Sequence, residues 1–180
     1  EADTMKRFGK ALVALWRKDD GTATMEFVLM VPVLLGVFMA AFESGLLMVR
    51  HTMLDRAVDM TVREVRLGHM MNATHDTLKD MICDHTVVIP NCRSVIRIEM
   101  EPISTTTWAL PDESPTCIDR AETIHPVTTV NPGLAEEIML VRVCVVADAM
   151  FPTTGIGLGL PKDGNGGYRL IAVSAFVNEP

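Results

Sequence analysis

Four cysteines, Cys83, Cys92, Cys117 and Cys144, are the groups in this chain best suited to bond-forming chemistry. All lie downstream of one long apolar stretch, and an even number on one side of such a stretch suits an oxidising compartment and two disulfides. Three pairings exist. Cys83–Cys92 with Cys117–Cys144 is favoured, because the first pair closes a short loop containing Pro90. Free buried thiols are one alternative. A zinc site of Cys83, His85 and Cys92 is another, but its spacing matches no common ligand set. His51, His69, His75, His85 and His125 form no His-Glu-x-x-His pattern, and Ser104, Ser114 and Ser174 lack the setting of a nucleophile elbow. Gly155-Ile156-Gly157-Leu158-Gly159 follows a strand-like run, yet Pro161 and Gly164 to Gly167 deny it the helix that phosphate binding needs, so it reads as a hairpin loop. Asn72-Ala73-Thr74 is a sequon to which no role is assigned. No catalytic residue, metal, cofactor or small-molecule substrate is called for. A net charge of −7 and a single Tyr argue against a nucleic-acid partner.

Two carboxylates remain. Glu26 stands immediately before the apolar run at 27–49, and Glu43 is the only charge inside it. A carboxylate at the edge of hydrocarbon costs a few kcal/mol unless it is paired or kept near the interface. Glu26 on its own could simply mark that interface. Glu43 lies about 26 Å further along an ideal helix, near the far boundary of a ~30 Å hydrocarbon core. It either snorkels into the outer interface or pairs with a neighbouring subunit. Gly36, Ala40, Ala41, Ser44 and Gly45 offer close-packing surface, with Ala40/Ser44 and Ala41/Gly45 four apart; the alternative is that they face lipid with no partner.

The elements that position these groups are legible from patterning. Hydrophobic residues make up 48% of the chain and the mean hydropathy is +0.25, with most of the excess in 27–49. That length and composition fit a transmembrane helix, and Pro32 and Gly36 are better tolerated there than in a soluble helix. A fully buried soluble helix is the competing interpretation. Residues 1–21 are polar, with a short amphipathic helix expected around Phe8, Leu12, Leu15 and Trp16. Residue 1 is Glu, so a start at this position reads as a truncation or a choice of start. Residues 50–82 are amphipathic and helical, continuous with the span, with an end at Gly68 and a second helix over 74–82 capped by Asn72 or Thr74.

From 83 to 180 the pattern becomes β-rich. Strands are expected from Val95 to a stop at Pro102, within 137–149 and over 168–177, with loops at 110–116 and 151–167. The expected fold is α+β: a long N-terminal helix and three or four antiparallel strands packed on it. Its parts are a leader at 1–21, a span at 22–49, an amphipathic helical region at 50–82 and a head at 83–180.

Asp19-Asp20-Gly21-Thr22-Ala23-Thr24-Met25-Glu26-Phe27, followed directly by the apolar run, resembles the class III signal of type IV pilin-like proteins. The match narrows further. Gly21 with Glu26-Phe27, the early Pro32, Glu43-Ser44-Gly45, the charged helix from Leu54-Asp55-Arg56-Ala57 to Arg63-Glu64-Val65-Arg66, and the ending Phe176 to Pro180 resemble the TadE-like family of tight-adherence pilus assembly. The specific likeness covers 19–67 and that terminus. It implies cleavage by prepilin peptidase between Gly21 and Thr22, with the helix retained. It also implies a new amine at Thr22, available to Glu26 of the same chain or a neighbour.

The function implied is that of a minor pilin or pseudopilin, with other pilins, the inner membrane and the peptidase as partners. A tip or initiating role follows by analogy from the large head. Five Lys/Arg before the span against four in 50–69, together with the cysteines, place the N-terminus in the cytoplasm and the head in the periplasm. Two other readings fit less of the sequence. One is an unprocessed membrane-anchored periplasmic binding module. The other is a secreted protein cut near Ala41.

Overall fold

The computed structural model describes residues 22–70, 73–111, 114–124 and 127–179. Gly21, the 1–21 leader and its expected amphipathic helix, the alternative cap Asn72, His125 and Pro180 lie outside them. The chain divides into two compact units at Ala41/Phe42, and helix α1 (Thr22–Arg66) contributes to both.

In the first unit α1 is apolar on every side. Phe27, Leu29, Leu34, Leu35 and Phe38 are all exposed, and an 18-residue window of α1 reaches a mean hydropathy of 2.2 with none of it buried. The helix runs through Pro32, which leaves the Val28 carbonyl without its usual donor. By length and composition this is a helix able to cross a membrane.

In the second unit α1 buries Leu54, Ala57, Val58, Thr61, Val62 and Val65, a stripe at alternating spacings of three, one and three. The helix stops at Gly68, which takes φ +69°. Gly68 N–H donates to Val65 O and His69 N–H to Glu64 O, the paired bonds of a Schellman ending that closes two otherwise unused carbonyls. Helix α2 (His75–His85) starts at Thr74, whose hydroxyl and backbone exchange bonds with Thr77 in a capping box. It extends past 82 and carries Cys83, bonded to Cys92 at the start of the one-turn helix α3 (Cys92–Val95).

The sheet is three-stranded and antiparallel in the order β1 (Ile96–Ile103), β2 (Ile138–Ala147), β3 (Tyr168–Val177). The α+β class holds, with three strands among the described residues. Pro102 does not stop β1: it pairs with Met139 inside the strand. β1 is an edge strand. Met100 N–H donates outward to Thr129 O, and Pro102, two residues on, turns its nitrogen to that same outer side, where the β2 ladder asks for no donor. On one face, Met139, Val141, Val143 and Val145 pack with Ile96, Ile98, Leu170, Phe176 and the α1 stripe in a single core. The other face carries Glu99 and Arg142, paired at 2.7 Å. The segment around Cys117 is tied there by Cys117–Cys144 and by Thr116 N–H donating to Glu99.

Gly155–Gly159, expected as a hairpin loop, forms a turn of helix, α4 (Gly155–Gly159). Thr154 caps it by accepting from Gly157 N–H, and Leu158 N–H donates to Thr154 O. Pro161 falls beyond the last helical residue, so it never has to donate.

Candidate functional site

The carboxylates and small residues singled out by the sequence all lie on α1. Glu26 is exposed on its first turns. A Cβ at Gly36 or at Gly45 would meet nothing within 4 Å, so packing within this chain does not require either residue to be small. Ala40 and Ser44 are half-buried and Ala41 is exposed.

Glu43, expected to snorkel into the outer interface or to pair with a neighbouring subunit, has a partner within this chain. It is 0% exposed, and its Oε2 accepts the Phe151 N–H at 2.8 Å. Seven residues on, two helical turns along the same face, Arg50 is also buried. Its Nη1 donates to the Asp148 carbonyl at 2.7 Å and to the Tyr168 hydroxyl at 2.6 Å, and the guanidinium lies 5.9 Å from the Tyr168 ring centre. One helix face thus holds both ends of the segment that leaves β2: Arg50 at Asp148 O and Glu43 at Phe151 N. Phe42 meets Phe151 edge-on at 6.1 Å beside this clamp.

The clamp continues into an ion network. Arg120 binds Asp148 through both Nη atoms and Asp163 through Nε at 2.6 Å. Asp163 also accepts from Gly167 N–H at 2.7 Å and Asn165 N–H, organising the turn that feeds β3. A Cβ at Gly167 would collide with the Arg120 guanidinium and with Val146. Arg120 holds the Asp148 carboxyl below the usual carboxylate range. Burial alone would raise Asp163, but the Arg120 and Gly167 bonds outweigh it and the group is lowered too. Arg120 is itself raised by the same two carboxylates.

Sequence reasoning missed Arg50, Tyr168, Arg120 and Asp163. Two hints were available: the chain's single Tyr, and Arg50, the next charged residue after Glu43 and two helical turns beyond it. Cys83 and Cys92 are joined to each other, and Cys117 to Cys144. The zinc alternative with His85 therefore has no thiolates to use. Among the described residues no three His, Cys, Asp or Glu side chains converge.

No curated protein and no solved structure matches the chain. Residues 21–63 do match a family model, described as TadE-like protein, and the match runs from the glycine before α1 almost to that helix's end. The matched stretch contains Gly21, Glu26, Pro32 and Glu43, the residues that carry the resemblance to the TadE-like family of tight-adherence pilus assembly.

Proposed function

We propose that the chain is a minor pilin or pseudopilin of a tight-adherence pilus and that it acts by assembly, not catalysis. The carrying observation is a coincidence of limits. The family match begins at Gly21, and the one described helix apolar enough to cross a membrane begins directly after it.

In this reading prepilin peptidase cuts between Gly21 and Thr22. The freed Thr22 amine neutralises Glu26 of a neighbouring subunit, which sets the axial register between helices. Gly36, Ala40, Ala41, Ser44 and Gly45 then let sister helices approach, a use consistent with the open space around Gly36 and Gly45. The N-terminus stays in the cytoplasm. The periplasmic head, carrying its two disulfides, contacts other pilins.

The test is piliation in cells that lack the native gene and express variants. Glu26→Ala and Gly36→Leu are expected to abolish or severely reduce pili, while the thermal unfolding of the head is unchanged. Normal piliation with both variants contradicts the assembly role.

A further inference from the structure

Between Asp148 and Lys162 no residue is charged or His. This segment holds Met150 and Leu158 out to solvent at 54% and 65% exposure, next to the half-exposed Phe42 ring that meets Phe151. The turn satisfies much of its own backbone. Phe151 N–H goes to Glu43, Thr154 N–H and Oγ1 to Phe151 O, Gly157 N–H to Thr154 Oγ1, and Leu158 N–H to Thr154 O. Gly157 allows this closure, because a Cβ there would stand 2.8 Å from Phe151 O. Of the charges at its rim, Glu43 and Arg50 are buried and Asp148 is held by Arg120, while Lys162, half-buried at the C-terminal end, has a stem long enough to carry its ammonium to the headgroups. A protein segment that enters a bilayer interface needs apolar side chains outward, no free charge, and polar backbone groups already paired. The 149–161 segment has the outward apolar side chains, contains no charged residue, and pairs much of its backbone.

We propose that the 149–161 turn, together with Phe42, is an interfacial foot that seats in the headgroup–acyl boundary of a lipid bilayer. The inference rests on the reading of α1 before Phe42 as the membrane span. Phe42 lies within the 27–49 apolar run and is the first residue of the unit that carries the turn, which makes the lipid surface, and not a separate soluble partner, the occupant of stated chemistry. Glu43 then has a specific task. By accepting the Phe151 N–H it keeps its carboxylate inside the head and fixes the turn to α1, so the foot carries no charge toward lipid.

The experiment uses the full chain in phosphatidylcholine/phosphatidylglycerol vesicles at low protein-to-lipid ratio, nitroxide-labelled singly at Leu158→Cys, Leu35→Cys or Val87→Cys. Accessibility to oxygen and to a water-soluble nickel chelate gives the depth of each label. The Leu35 label is expected in the acyl core, the Leu158 label roughly 5–10 Å into the boundary, and the Val87 label in water. A Leu158 label as open to nickel as Val87, with Leu35 still deep, overturns the foot and leaves the span intact. A Leu35 label in water overturns the span reading and the foot with it. A Leu158 label shielded from both reagents means protein covers the turn, which also overturns the proposal.

Discussion

Before Phe42, α1 exposes Phe27, Leu29, Leu34, Leu35 and Phe38; after it, the same helix buries Leu54, Ala57, Val58, Val62 and Val65 and turns Asp55, Asp59 and Arg63 outward. Backbone geometry is shared, so the difference lies in what each side chain set requires as solvent. The first stretch has no polar face to offer water. The second has an apolar stripe narrow enough for a three-stranded sheet to cover. The family match spans both stretches yet ends at residue 63, so the head's sheet and disulfides are built from sequence outside it.

The sharpest way to break this comparison is to put one charge into each stretch. Val58→Asp buries an unpaired carboxylate in the core and should cost about 4 kcal/mol or more, enough to abolish cooperative thermal unfolding of the head. Leu34→Asp should leave the head's Tm unchanged and instead lower membrane retention, by about 3 kcal/mol at the centre of a span. Equal effects of the two on head stability would contradict the division.

Next in size is the covalent tie. Cys117→Ala with Cys144→Ala opens a loop of sequence separation 27 and should destabilise the head by about 3 kcal/mol in denaturant titration. Cys83–Cys92, with separation 9, closes a shorter loop and should matter less.

The Arg120 network should make the head acid-sensitive. Asp148 and Asp163 have folded pKa values below their unfolded ones. Their contribution is therefore fully present above about pH 4, the ordinary Asp value, and is lost as pH falls through the lowered folded values. Asp163 dominates, because its side chain is 0% exposed whereas Asp148 is 72% exposed and screened. Melting curves should fall steeply in that acid window, and Arg120→Ala should flatten the fall.

The smallest effect is expected at Glu43. Glu43→Gln keeps an acceptor for Phe151 N–H and should stay within about 0.5 kcal/mol of the parent. Glu43→Ala strands that donor and should cost about 1–3 kcal/mol.

Much of the fold follows from periodicity. The apolar run, the i, i+3, i+4 stripe from Leu54 and the alternation of Tyr168 to Val177 each identify an element without reference to anything distant. Gly68 was readable as a helix end because the φ it adopts suits glycine. The features that were not legible depend on partners far along the chain. Glu43 turns inward to a donor 108 residues away, Pro102 is acceptable only because β1 proves to be an edge, and α4 exists through bonds to Thr154 and Phe151 that overrule its glycines. The clamp of Arg50 on Tyr168 spans 118 residues and has no local pattern at all.

The central claim, that the apolar helix is retained and freed at its N-terminal end for packing, is tested most directly by intact mass and N-terminal sequencing of the protein extracted from membranes. The account predicts a mature chain that begins at Thr22 and keeps the whole of α1. A chain still carrying residues 1–21, or one beginning near Phe42, would contradict it.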